Sequence, residues 1–158
     1  MKHLVAIKSL VLTLALLAGS VSATATEQPF SCNGGGVAVP ILNEAGQPIG
    51  IDVTGSGNGT HIGLFTTLGK VFFTPDPNDP TRIIPSGEAV LTAANGDKLV
   101  FVVADGSQSL ITGIGTGHFS FTGGTGRFAN ATGTISYVVE QNFVTGAYTI
   151  TAVGSIDY

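Results

Sequence analysis

Three carboxylates lie inside or beside stretches that alternate between apolar and polar residues, and they are the first candidates for chemistry. They are Asp52, Glu88 and Glu140. A lone carboxylate facing an apolar interior has a raised pKa and can act as a general acid or base. Alternation favours an outward direction for all three side chains, least strongly for Glu88, which begins a strand opposite a proline-rich segment. Glu88 is therefore the catalytic candidate to test.

The two histidines beyond the N-terminal segment do not suggest a metal site. His61 and His118 each lie in an alternating stretch, without a second histidine or a carboxylate at the spacing of metal ligands. No Gly-x-Ser-x-Gly nucleophile motif precedes a helix. The glycine-rich segment 123–126 precedes no helix whose N-terminus would bind phosphate. We therefore expect neither a metal nor a cofactor.

Aromatic side chains recur in the alternating stretches and are typical of apolar binding surfaces. An interior that they line would hold a small apolar ligand. The candidates for contact with such a ligand are Phe65, Phe101, Phe119, Phe121 and Tyr137.

The glycine-rich stretch 117–133 organises the elements that would position these residues. Gly123 and Gly124 permit positive φ angles, so that a strand over 117–122 can end abruptly in a tight turn. Replacing Gly124 with valine should therefore destabilise the fold by roughly 1 to 3 kcal/mol.

The second half of this stretch predicts one helical turn followed by a new strand. Thr125 is placed to cap that turn, which contains Gly126. Phe128 then points inward as a plug, and Gly133 lets the next strand approach a neighbouring backbone closely.

Alternation with a period of two predicts strands along most of the remaining chain, and no stretch shows the spacing of an amphipathic helix. Asn95-Gly96 predicts a hairpin turn between two strands. We expect a surface loop over the proline-rich segment 74–80 and a further turn over 105–108. The predicted strands cover 61–73, 87–93, 98–104, 110–122, 134–139 and 147–155.

The chain divides into three parts by composition. Residues 1–23 have a basic start, a short apolar run and small residues before a cleavage position, which together predict a signal peptide and a secreted or periplasmic protein. The run is too short to span a bilayer, and we expect no membrane insertion. Residues 24–50 predict an extended N-terminal arm with one edge strand, and residues 51–158 a β-barrel domain.

The charge balance argues against nucleic acid as a partner, and the cysteine count argues against a disulfide within the chain. Beyond residue 23 the chain has four basic and ten acidic residues. Because no basic cluster occurs, the main source of affinity for nucleic acid is missing. Cys32 is the only cysteine and has no partner for a disulfide within the chain.

The stretch 121–133 resembles the turn between two strands in allene oxide cyclase-like and dirigent-like barrels, where a Gly-Gly-x-Gly-x-Phe-x-x-Ala-x-Gly pattern recurs. A weaker likeness appears at 57–65, which resembles an earlier strand of secreted bacterial members, and in the predicted strand pair 87–103. Together these stretches extend the likeness over roughly 55–158. The resemblance implies a closed eight-stranded barrel, no cofactor, and a homo-oligomer that is a trimer or a dimer. The catalytic residues of the plant cyclases cannot be matched one by one to positions in this sequence.

The sequence thus predicts an all-β, antiparallel, eight-stranded closed barrel of the allene oxide cyclase-like or calycin-like kind. Whether it is an enzyme stays open. The first hypothesis is a secreted barrel that binds a small apolar ligand or a partner without catalysis. The second is a cyclase or isomerase acting on a lipid epoxide, with Glu88 as its carboxylate, and the third is a structural or adhesive envelope protein.

Overall fold

The computed structural model describes residues 26–158, which form eight β-strands and one 3-10 turn. The predicted signal peptide, 1–23, lies outside the described residues. The 3-10 turn covers Gly126–Phe128. The strands are β1 (Gln28–Leu42), β2 (Pro48–Gly59), β3 (Gly63–Asp76), β4 (Asp79–Ala93), β5 (Lys98–Ser109), β6 (Ile114–Gly124), β7 (Thr132–Gln141) and β8 (Ala147–Ile156).

The eight strands form a closed antiparallel barrel. Each strand pairs with the next in the chain, and β8 pairs with β1 to close the sheet. Closure is visible at Cys32, which lies opposite Gly59 on β2 and opposite Ala152 on β8. Because every strand has two neighbours, the barrel exposes no free sheet edge. The predicted all-β, eight-stranded closed barrel is confirmed.

The N-terminal part of the described chain differs from the prediction of an arm over 24–50. β1 is a full strand of the wall, paired along its whole length, and β2 already begins at Pro48. Three consecutive glycines, 34–36, carry no apolar and polar alternation, so the sequence predicted only one edge strand within an arm and not a full strand of the wall. Backbone pairing needs no side chains, and a Cβ atom at Gly36 would overlap the carbonyl oxygen of Thr54. The glycines therefore allow close contact between β1 and β2.

The turns between strands carry the expected turn chemistry. Gly96, in the predicted hairpin turn, has a φ of +90°, and its N–H donates to the carbonyl of Ala93. Asn43 and Asn142 each accept two backbone N–H bonds through the side-chain oxygen, an Asx arrangement that fixes the β1–β2 and β7–β8 turns. The hairpin predicted at Asn95-Gly96 is confirmed.

Two of the predicted loops are wrong. In the segment 74–80, Pro75 and Pro80 lie within the ends of β3 and β4, and only two residues, 77–78, separate the strands. Prolines are tolerated at such strand ends because the ladder bonds are already incomplete there. The segment 105–108 lies inside β5, and the chain turns afterwards at 110–113.

The glycine-rich stretch forms the predicted strand, turn and new strand, with one change of mechanism. Gly123, Gly126 and Gly133 have φ angles of +113°, +58° and +132°. Gly124 instead pairs with Leu99 in the sheet, and a Cβ atom there would overlap the carbonyl oxygen of Lys98. Space, not φ, requires glycine at position 124.

Thr125 occupies the N-cap position of the 3-10 turn, but its side chain makes no cap hydrogen bond. Its hydroxyl oxygen accepts the N–H of Lys98 at 2.9 Å and so joins the turn to the start of β5. Phe128 is fully buried among the core residues, as predicted for a plug.

The two ends of the barrel differ. The turns 60–62, 94–97 and 125–131 meet at one end, the plugged end, where the largest fully buried side chains are Phe30, Leu99, Phe128 and Ile156. The opposite end, the rim end, is formed by the turns 43–47, 77–78, 110–113 and 142–146. Exposed apolar side chains lie there, among them Leu42, Ile111, Phe143 and Val144.

Candidate functional site

The barrel interior contains a cavity of about 120 Å³, lined by residues of all eight strands. Most of the lining is aliphatic or aromatic, as in ligand sites generally. The cavity lies on the rim-end side of the plug and reaches Phe73 and Gln141 near the rim-end turns. Its lining residues with a polar or ionisable side chain are Cys32, Thr67, Glu88, Gln108, Tyr137, Gln141 and Tyr148.

Four of the five aromatic residues predicted to contact a ligand line this cavity. Phe119 lies between Phe101 and Tyr137, with ring centroids 4.6 Å and 4.1 Å away, and its contact with Tyr137 is a parallel stack. Phe65 lines another part of the wall. Phe121, the fifth, does not border the cavity and instead packs edge-on against Phe30 in the plug at 5.1 Å.

Glu88, the catalytic candidate, does not point into the barrel. Although it is among the residues bordering the cavity, β4 buries Pro85 and Ala89 inside and leaves the Glu88 side chain exposed. On the outer face Glu88 lies opposite Lys70 in the strand register, and Lys70 forms an ion pair with Asp52. The three residues form a charged row on the outer wall. Such a row is typical of a solvated surface and does not indicate catalysis inside the barrel.

Glu140, the remaining carboxylate candidate, is also exposed, on the outer face of β7. Asp52 and Glu140 thus face outward, as alternation favours.

The histidines lie apart and make local contacts. His118 Nδ1 is 2.8 Å and 3.0 Å from the two carboxylate oxygens of Asp105, on the outer face. His61 Nε2 donates to the carbonyl of Pro29 at 3.0 Å, so the hydroxyl of Tyr158 donates to Nδ1 at 3.1 Å. Across residues 26–158, no three His, Cys, Asp or Glu side chains are grouped so that they could hold a metal ion.

Two tyrosines extend across glycines of the neighbouring strands. Tyr148 on β8 faces Gly36, and its hydroxyl oxygen is 2.6 Å from where a Cβ atom of Gly55 would stand. Tyr137 on β7 faces Gly117, and its hydroxyl occupies the place of a Cβ atom at Gly106. The absence of Cβ atoms at Gly55 and Gly106 leaves room for the two hydroxyl groups at the wall.

Neither tyrosine hydroxyl has a hydrogen-bond partner among residues 26–158. Burial raises the pKa of Tyr137 to about 12, with a further contribution from the negative charge of Asp105. Burial also raises the pKa of Tyr148. Neither hydroxyl oxygen is fully enclosed, because among residues 26–158 the only buried side-chain oxygen or nitrogen without a partner is Asp157 Oδ1. Both hydroxyls can therefore form a hydrogen bond with water or with a bound molecule.

Cys32 is on the inner face of β1 and is half-buried in the cavity wall. Burial raises the pKa of its thiol to about 11. The group is therefore a neutral thiol at physiological pH and a weak nucleophile.

Gln108 and Gln141 form a polar pair that the sequence did not reveal. Gln108 is buried, and its Nε2 donates both to the carbonyl of Gly113 at 3.0 Å and to Oε1 of Gln141 at 3.2 Å. Alternation from Leu99 would place Gln108 outside, but a bulge between Val103 and Asp105 shifts the register. Such a shift moves every later side chain to the other face.

The fold and the cavity together define the class: a closed antiparallel barrel of dirigent-like fold. The solved structure of the pterocarpan synthase dirigent protein GePTS1 matches with a TM-score of 0.51 and 14% sequence identity, covering 84% of this chain and 86% of that chain. No protein-family model matches the sequence, and no curated protein does. The expected dirigent-like barrel is confirmed as a fold; kinship with allene oxide cyclases and a bacterial origin stay predictions.

No helix among residues 26–158 is both long enough and apolar enough to cross a membrane.

Proposed function

We propose that this protein binds a small, neutral, largely apolar molecule inside its barrel and does not transform it. The observation that carries the proposal is the cavity of about 120 Å³ with its mainly apolar wall. An apolar cavity of about 150 Å³ is known to bind benzene. The space therefore suits a molecule of one ring, or one end of a longer molecule.

The distribution of charged groups supports binding without catalysis. Within the part of the chain described by the structure, Glu88 is the only carboxylate bordering the cavity, and its side chain is exposed on the outer wall. A general acid or base must reach the reacting atom within hydrogen-bond distance. A role for Glu88 in the lumen would need the strand to reverse its faces.

A packed lumen would favour the third hypothesis, a structural or adhesive protein. The glycines beneath Tyr137 and Tyr148 argue for the opposite, because larger residues at these positions would force the two rings into the lumen. The likeness to a dirigent protein supports the proposal only as a likeness of fold. Export through a signal peptide, and a trimer or dimer, stay predictions.

Binding of toluene, followed by NMR shifts of lumen methyl groups and by thermal unfolding, tests the proposal. Ala152 lines the cavity and is buried, so Ala152→Leu should occupy the space and abolish binding. Val153→Leu is the matched control, since this neighbouring side chain is exposed on the outer face. The proposal fails if wild type does not bind toluene, or if both variants bind it equally well.

A further inference from the structure

We propose that Gln108 and Gln141 form the polar end of the ligand site and recognise a neutral group with a hydrogen-bond donor beside an acceptor. A primary amide or a protonated carboxyl group, attached to an apolar body, has this chemistry. The inference rests on the proposed function and specifies the class of ligand that the cavity takes.

Gln108 presents a fixed acceptor. Both N–H groups of its side-chain amide are committed, one to the carbonyl of Gly113 and one to Oε1 of Gln141. Its own Oε1 has no partner among residues 26–158, although the side chain is buried and lines the cavity. This oxygen is not sealed inside the protein, because among residues 26–158 the only buried side-chain oxygen or nitrogen without a partner is Asp157 Oδ1. Gln108 Oε1 is therefore open to accept an N–H or O–H of a ligand in the cavity.

Gln141 presents the complementary donor. Its Oε1 accepts from Gln108, and its Nε2 has no partner among the residues that the structure describes. Gln141 lines both the cavity and a groove between the turns 110–113 and 142–146 at the rim end. Together the two amides offer one free acceptor and one free donor at the rim-end side of the cavity.

The local backbone holds the pair in place. Gly113 has a φ of +75°, and its carbonyl accepts both the Gln141 backbone N–H and the Gln108 side chain. A Cβ atom at Gly115 would be 3.1 Å from both Cβ and Cγ of Gln108, so glycine leaves room for that side chain against the wall. A site that is rigid before binding loses little entropy when the ligand arrives.

The lumen favours a neutral ligand over an ion. No lysine, arginine or histidine is among the residues that line the cavity within 26–158. Nothing there would compensate the desolvation of an anion. Burial raises the pKa of Tyr137 and of Cys32, so both side chains stay uncharged near neutral pH, as expected in an apolar cavity. A carboxylic acid would therefore bind protonated, and an amide at any pH near neutrality.

Benzamide and toluene, titrated into the protein and followed by NMR, test the inference. Gln141→Leu removes the donor and the anchor of Gln108 while keeping an apolar wall. It should weaken benzamide binding about 10-fold, the effect of losing one to two hydrogen bonds, and leave toluene binding unchanged or tighter. Gln47→Leu, the same change in an exposed rim-end turn, should leave the affinity for both probes unchanged.

The outcomes separate the inference from the function on which it rests. If wild type binds toluene but not benzamide, or if Gln141→Leu changes both affinities by the same factor, the amide pair is not a recognition element. If wild type binds neither probe, the proposed function itself is wrong, and the inference falls with it. Gln141→Met, an unbranched replacement, repeats the measurement should the leucine variant fold poorly.

Discussion

The hydroxyl of Tyr137 occupies the position that a Cβ atom of Gly106 would take. The two residues are on β7 and β5, and the ring crosses Gly117 of the intervening strand β6. The other atoms nearest to that position, Pro85 Cγ at 3.1 Å and the Thr116 carbonyl oxygen at 3.2 Å, are tolerable neighbours. The tyrosine hydroxyl is thus the main obstacle to a side chain at position 106.

Gly106→Ala should therefore destabilise the protein by about 1 to 3 kcal/mol, as overpacking does. Tyr137→Phe removes a hydroxyl without a hydrogen-bond partner among residues 26–158 and should change stability by less than about 0.5 kcal/mol. In the double variant the alanine gains space, so the cost of Gly106→Ala should fall. Urea unfolding of the four proteins measures this coupling, and strictly additive effects would contradict the packing described here.

Phe128 closes the plugged end, and its removal should cost far more than that of a phenylalanine at the rim end. The Phe128 side chain is fully buried, with the Tyr158 ring 5.2 Å away. Phe128→Ala should lower the free energy of unfolding by about 3 to 5 kcal/mol.

The matched change is Phe143→Ala, at a side chain that is 45% exposed in the β7–β8 turn. We expect it to cost less than about 0.5 kcal/mol. Chemical denaturation of both variants measures their free energies of unfolding. Equal losses would show that Phe128 contributes no more to stability than the exposed Phe143.

Alternation of side chains predicted the strands, and the resemblance of the stretch 121–133 to the turn of known barrels predicted that the strands close. The hairpin at Asn95-Gly96 and the buried Phe128 follow from turn chemistry and periodicity, and both are present. The segment of β1 was predicted only as an extended arm with one edge strand, because glycines 34–36 carry no side-chain pattern, although their backbone pairs on both sides. Sequence periodicity reveals only patterns of side chains, whereas glycines 34–36 form the barrel wall through backbone pairing alone.

The candidate site was predictable only in part, for a related reason. No bulge precedes Phe119 or Tyr137 within its own strand, so alternation alone predicts that both side chains point inward. Gln108 was placed in the predicted turn 105–108, whereas it lies inside β5 beyond the bulge near Val103, where one extra residue reverses the inward and outward directions of the side chains. Gly106, just after the bulge, was the one available indication, since an isolated glycine in a strand often marks such a site.

Glu88→Gln should leave ligand binding unchanged, because the side chain is exposed on the outer wall. Its neighbour across the strand pair, Lys70, already has Asp52 as its ion-pair partner. Exposed pairs of this kind contribute at most about 1 kcal/mol, so stability should change little as well. Toluene titration and thermal unfolding check both expectations. A lower affinity of Glu88→Gln for toluene would show that this carboxylate contributes to the binding site.

Stability should fall as the solution becomes alkaline, through groups inside the barrel. Burial raises the pKa of Cys32 from 9.0 to about 11 and that of Tyr137 from 10.0 to about 12. As pH rises above 9, the unfolded chain releases these protons first and so binds fewer protons than the native state. The free energy of unfolding is then greatest below pH 9 and declines through about pH 12.

The two contributions can be separated, because they occupy different pH intervals. Cys32→Ala should flatten the decline between about pH 9 and 11, and Tyr137→Phe the decline between about pH 10 and 12. Urea midpoints measured at intervals from pH 8 to 12 give the three curves. If the Cys32→Ala curve runs parallel to that of wild type, the thiol titrates alike in the folded and unfolded chain, and Cys32 is not desolvated in the cavity wall.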